Sequence, residues 1–149
     1  MTGERAPAAG EYGPDSPFTL PGFFDALGEG RLLGGECGDC GAVLLPPRFA
    51  CYACGSRDVT AVEQPHTGTV YTYTQVRRPV PALEPEAPFT VAVVELDSGA
   101  RLSGRLTVEY EEAEIGMPVE LSVREPTEHE REAALACDAD WPVHAFEPR

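Results

Sequence analysis

Cys37-Gly38-Asp39-Cys40-Gly41 and Cys51-Tyr52-Ala53-Cys54-Gly55 repeat one pattern, C-x-x-C-G, with ten residues between Cys40 and Cys51. This is the spacing of a zinc ribbon, in which two tight knuckles supply four thiolates to one tetrahedral ion. Gly41 and Gly55 suit the knuckle, because the residue after the second cysteine turns sharply and often needs a positive φ that glycine adopts without steric cost. With four sulfur ligands no position is left for water or substrate, so one structural zinc per chain is expected on Cys37, Cys40, Cys51 and Cys54. Disulfide pairing is the competing use of these thiols. The N-terminal stretch lacks a basic-then-apolar signal pattern, so a cytoplasmic, reducing setting is expected, and that favours metal. Thioredoxin-type redox chemistry needs one C-x-x-C at a helix start rather than two symmetric knuckles.

Working outward, residues 1–17 carry Ala, Gly, Pro and charge without periodicity and read as a disordered tail. Phe23, Phe24, Leu27 and then Leu32 and Leu33 form an apolar stripe at roughly helical spacing, interrupted by Gly28 and Gly30. A short helix is expected there, its stripe packing on the protein's own core or docking another chain. Between the knuckles, Ala42-Val43-Leu44-Leu45 reads as a strand stopped by Pro46-Pro47.

From Thr69 the period becomes two. Val70, Thr72, Thr74 and Val76 are expected on one face of a strand, with Tyr71, Tyr73 and Gln75 on the other. Further strands are expected at 90–96, 101–108, around Val119-x-Leu121-x-Val123 and at 141–146. Asp97-Ser98-Gly99-Ala100 joins the second and third as a hairpin. Gly104 falls on the interior side of the third strand, where it suggests a bend at a barrel corner. Five short strands, with a helix-sized acidic insert at 109–114 between the third and fourth, follow the plan of an OB-fold barrel. The expected class is therefore mainly β: a short helix and zinc ribbon over 18–60, then a five-stranded OB-fold domain over 61–149. The Pro-rich segment 77–88 is the long loop between its first two strands.

Charge narrows the function. Eleven basic residues against 25 acidic give a formal net charge of −14. Nucleic-acid affinity rests mainly on Lys and Arg neutralising phosphates, so this field opposes a nucleic-acid-binding ribbon/OB module, the alternative reading. Tyr71 and Tyr73 offer rings for stacking but few cations in sequence beside them. The chain contains no lysine, which excludes Schiff-base catalysis and a Walker A loop. No run approaches the ~18 apolar residues that span a bilayer.

Catalytic constellations are sparse. His66, His129 and His144 are scattered, no G-x-S-x-G is present, and Cys137 beside Asp138 and Asp140 reads as an unreactive free thiol. The acids Glu111, Glu112, Glu114, Glu128, Glu130 and Glu132 read as solvated surface. Arg77-Arg78 could receive an anionic ligand or acidic partner, although local charge compensation is the simpler use.

The order of these pieces resembles the acyl-CoA-associated zinc-ribbon/OB-fold proteins. The resemblance rests on Phe23-Phe24-x-x-Leu27, Gly30-Arg31-Leu32-Leu33, the two knuckles, Pro46-Pro47-Arg48 and Gly68-Thr69-Val70-Tyr71-Thr72-Tyr73-Thr74. Pro88-Phe89, Val91-Ala92-Val93-Val94-Glu95-Leu96, Ile115-Gly116-Met117-Pro118-Val119 and Phe146-x-Pro148 extend it over nearly all of 18–149. It implies a non-catalytic accessory subunit that binds and stabilises a thiolase-superfamily enzyme: a thiolase, a lipid-transfer-type retro-aldolase or an acyltransferase. In some such complexes the OB domain lines the acyl-CoA entrance. The expected interface comprises Phe23, Phe24 and Leu27, Pro46, Pro47 and Arg48, and Arg77 and Arg78. The acidity and lack of lysine stand against direct phosphate binding by this chain.

Overall fold

The structure is a computed structural model that describes residues 4–6, 13, 15–135 and 139–149. In chain order its elements are β1 (Glu4–Arg5), α1 (Leu20–Gly28), β2 (Leu33–Cys37), β3 (Val43–Leu44), β4 (Val59–Glu63) and β5 (Thr67–Val76). Then follow β6 (Phe89–Leu96), β7 (Arg101–Leu106), β8 (Pro118–Arg124), α2 (Glu128–Ala133) and β9 (Val143–Pro148). Short 3-10 segments occupy Pro81–Glu86 and Tyr110–Glu112. Contacts divide the chain into two compact units, one of the residues up to Pro65 with Ser98–Ala100, the other of His66–Asp97 and Arg101–Arg149.

The first unit is an antiparallel sheet in the order β1-β4-β2-β3. Its core gathers Phe18, Leu44, Val59 and Ala61 around the buried Cys37 and Cys51. Helix α1 begins at Thr19, whose hydroxyl accepts from the Gly22 N–H, with Pro21 in the first turn. It ends at Gly28, so the expected stripe is split: Leu32 lies beyond the helix and Leu33 opens β2. The Gly28 and Gly30 interruptions stop the helix, since glycine is costly in a helix interior.

One expectation is corrected here. Glu4–Arg5 is not part of a structureless tail but a strand paired with Ala61 and Thr60, and Arg5 Nη2 lies 2.8 Å from Asp58 Oδ1. The β4 edge offers unpaired N–H and C=O groups, and two extended residues are enough to satisfy part of it. Of the rest of the expected tail, residues 1–3, 7–12 and 14 lie outside the described residues, and Pro17 is buried. Val59–Glu63 is paired residue for residue with β2 in the ribbon sheet, and the compact first unit runs to Pro65.

The second unit is a closed five-stranded barrel, β5-β6-β7-β9-β8, with β8 returning to β5 and β7 meeting β9 in parallel. This is the OB-fold arrangement. Val70, Ala92, Val94, Leu106, Val119, Leu121 and Phe146 fill it. Strand β5 departs from simple alternation, because the register shifts between Val70 and Thr72. The bulge adds a residue and reverses the faces after it. Tyr73 and Gln75, expected opposite Val70, instead share the side of their buried partners Ala92 and Thr90, while Thr72 and Thr74 are exposed. The helix-sized insert expected after the third barrel strand is one 3-10 turn; a helix, α2, lies between β8 and β9 instead. The sequence Thr127-x-x-Glu130 explains it: each partner's side chain caps the other's backbone N–H in a capping box.

Candidate metal centre

The two knuckles are built alike. Cys37 closes β2, and its carbonyl accepts from the Gly41 N–H at 3.0 Å; the Cys51 carbonyl accepts from the Gly55 N–H at 2.9 Å. Gly41 and Gly55 both have φ of +76°, the conformation the pattern called for. The knuckles are tied to each other through Ser56, whose hydroxyl donates to Asp39 Oδ2 and accepts from the Asp58 N–H. Gly38 donates its N–H to the Asp58 carbonyl at 2.8 Å.

This scaffold brings four sulfurs together. Cys37 and Cys54 Sγ lie 3.6 Å apart, Cys40 and Cys51 Sγ 3.5 Å, and all four fall within 4.8 Å of one another. These separations far exceed the ~2.04 Å of a disulfide. Four sulfurs at ~2.3 Å from one tetrahedral ion would stand about 3.8 Å apart, close to what is observed. The Ala53 N–H points at Cys51 Sγ at 3.4 Å, a polar contact of the kind that steadies ligand charge.

Electrostatics also calls for a cation. Backbone N–H groups of Cys40 and Asp39 hold the Cys37 thiol down at about 7. The Ser56 N–H pulls Cys54 the same way, but sharing with Cys37, burial and the remaining thiols outweigh it, and Cys54 is pushed up to about 12. Cys40 is raised too: the Ala42 N–H lowers it, but hydrogen bonding with Cys51, the next largest influence, burial and Cys37 prevail. Crowded thiolates repel, so the full set ionises only when a cation replaces the protons.

The other expected site residues are not gathered with the sulfurs. Phe23 and Leu27 are 3% and 1% exposed, so most of the stripe is satisfied within the chain. Phe24 is half-buried, edge-on to Phe23 with ring centroids 5.2 Å apart. Pro46 is half-buried and Pro47 buried, while Arg48, Phe49 and Tyr52 are each exposed. Arg77 and Arg78 belong to the second unit and are both exposed; Arg77 Nε donates to Gln75 Oε1 at 2.8 Å. His144 Nε2 meets the Ser103 carbonyl, and its ring stands edge-on to Phe146. Cys137 lies outside the described residues.

Sequence reasoning missed one cluster. Glu130 was expected in solvent, yet its side chain is only 12% exposed and grips Arg124 through two bonds of 2.6 and 3.0 Å. Glu86 holds Arg105 at 2.9 Å, and Arg105 lies over the Phe89 ring at 3.9 Å. The Thr127-x-x-Glu130 capping box was the available signal. A second correction concerns Tyr71: a cation does face it, since the Arg101 guanidinium sits 3.8 Å over its ring. That guanidinium also pairs with Glu95 at 3.3 Å.

The family described as ChsH2, rubredoxin-like zinc ribbon domain matches residues 24–60, and that described as ChsH2, C-terminal OB-fold domain matches 61–124. A DUF35 domain-containing scaffold protein of Pyrococcus furiosus is 37% identical over 106 residues, 70% of this chain and 77% of that protein. This chain belongs to the ChsH2/DUF35 family. A solved chain of an Ltp2-ChsH2(DUF35) aldolase is 34% identical, with TM-score 0.65, covering 85% of this chain and 91% of that one. A probable enoyl-CoA hydratase alpha subunit of Thermomonospora curvata is 41% identical over 101 residues, 66% of this chain but only 31% of that protein. Family membership and the four-sulfur cluster agree on a ribbon built to hold metal, and no helix among the described residues is long and apolar enough to cross a membrane.

Proposed function

We propose that this ChsH2/DUF35-family chain is a non-catalytic scaffold subunit of a thiolase-like acyl-CoA enzyme of the aldolase type, working in the cytoplasm. The observation that carries this is the likeness, over both ribbon and barrel, to a chain of an Ltp2-ChsH2(DUF35) aldolase. The scaffold naming of the Pyrococcus relative supports the same role. One zinc ion per chain, held by Cys37, Cys40, Cys51 and Cys54, would neutralise the thiolates and lock the two knuckles together. It supplies structure rather than reaction chemistry, because four protein sulfurs leave no open coordination position.

On the ribbon unit the partner contacts we assign are Phe24 on the exposed side of α1, Pro46 and Arg48; on the barrel unit, separately, they are Arg77 and Arg78 of the long loop. Arginines and aromatic rings are the side chains that anchor such interfaces. The two loop arginines would lie toward the acyl-CoA entrance of the enzyme. No observation favours nucleic acid: the cation on Tyr71 is neutralised by Glu95 and covers a ring face that a base would need.

The test is co-expression with a thiolase-like protein encoded beside this chain. A stable complex with aldolase or thiolase activity is expected, with no turnover by this chain alone. A monomer that binds no such protein, or turnover by the isolated chain, refutes the scaffold reading.

A further inference from the structure

The turn Pro81–Glu86 and helix α2 are both short, and neither buries a residue. A six-residue helix lies far below the ~12–15 residues that hold a helix together in water. The two segments touch, Ala82 and Leu83 are only half-buried there, and the side-chain bond that joins the segments is polar. Thr127 Oγ1 at the start of α2 donates to Glu86 Oε2 at 2.6 Å, and the other Glu86 oxygen holds Arg105 of β7. Glu130 of α2 reaches the same Arg105 at 3.8 Å while gripping Arg124 of β8. Ala145, the register partner of Arg105, is buried and lines a cleft with Arg105 and Arg124.

We propose that Pro81–Glu86 and α2 form one strap, keyed on Arg105, that opens and closes as a unit and sets whether Arg105 and Arg124 are neutralised. Both arginines line a cleft of about 320 Å³ together with Gln75 and Thr90. With the strap closed, Glu86 and Glu130 cancel their charges. With it released, the two guanidinium groups face the cleft without Glu86 and Glu130, leaving Glu109 as the carboxylate in its lining, and the loop carrying Arg77 and Arg78 loses its anchor at Glu86. Arg105 is thus a positioning residue. The mechanism follows from mutual dependence: neither segment has a fully buried residue of its own, so losing the shared contacts frees both. The inference deepens the scaffold reading, which assigns Arg77 and Arg78 to the partner face.

Hydrogen exchange on the full chain tests it without any partner. Glu86→Gln changes one segment and Thr127→Val the other. Either substitution should speed amide exchange on the order of tenfold in both 81–87 and 128–134, leaving β6 and the ribbon unchanged. Tryptic cleavage after Arg77 should accelerate in parallel, and Glu84→Gln, outside the network, serves as the unaltered control. Faster exchange confined to the substituted segment, or in neither, overturns the strap. Failure of the wild-type chain to bind an enzyme partner would refute the scaffold reading while leaving these exchange rates as they are.

Discussion

Gly104 and Phe146 meet inside the barrel at a distance that leaves little room for a side chain on the glycine. A Cβ there would lie 3.1 Å from Phe146 Cε2 and 3.0 Å from His144 Cδ2. The sequence suggested a bend at this position; the structure uses the missing side chain as space for two rings from β9. Gly104→Val should therefore lose about 1–3 kcal/mol by overpacking, read as a lower denaturant midpoint. Ser103→Val, on the exposed face of the same strand, should change stability by no more than about 0.5 kcal/mol.

Freshly purified protein should contain one zinc per chain by elemental analysis. Structural zinc contributes on the order of 10 kcal/mol of apparent binding energy coupled to folding, so Cys40→Ser should lose the metal and unfold the ribbon. Cys137→Ser should keep it. Protein free of any stoichiometric metal would contradict the assignment.

Acidification should loosen the α2 end of the barrel. Burial raises the Glu130 carboxyl, but the Arg124 hydrogen bond, the Thr127 N–H and the charges of Arg124 and Arg105 outweigh it, and the folded value is lowered. A carboxyl depressed by folding adds stability that is fully present above its unfolded value, about 4.3, and is lost as pH falls through the folded value. Glu130→Gln should abolish that dependence below about pH 4.3, measured by exchange or melting across the acid range. An identical acid profile in the variant would remove Glu130 as the cause.

Partner binding should weaken with Phe24→Glu and with Arg48→Glu. Arg77→Glu combined with Arg78→Glu should raise the KM of the complex for its acyl-CoA substrate more than it lowers kcat. Single anchors of this kind are worth roughly 1–2 kcal/mol or more, about a tenfold change in Kd. Titration of the purified partner with each variant provides the check.

The ribbon was legible because its determinants are local. A C-x-x-C-G knuckle needs two thiols and a positive-φ glycine within five residues, and both copies stand intact in the sequence. The barrel strands were legible for the same reason: alternation over 89–96, 101–106 and 118–124 is a property of consecutive residues. Partner strands decided the rest. Alternation alone could not reveal that Tyr71 would be the extra residue of a bulge, because a bulge exists only in register with β6, and it turned Tyr73 and Gln75 to the other face. Strand β2 carries Gly34 and Gly35, poor strand formers, and is a strand because β3 and β4 supply hydrogen bonds on both edges. Glu86 and Glu130 look solvated in a chain of net charge −14. Only the folding of β7 and β8 beneath them brings Arg105 and Arg124 within reach, since charge pairing depends on distance in space, not on order along the chain.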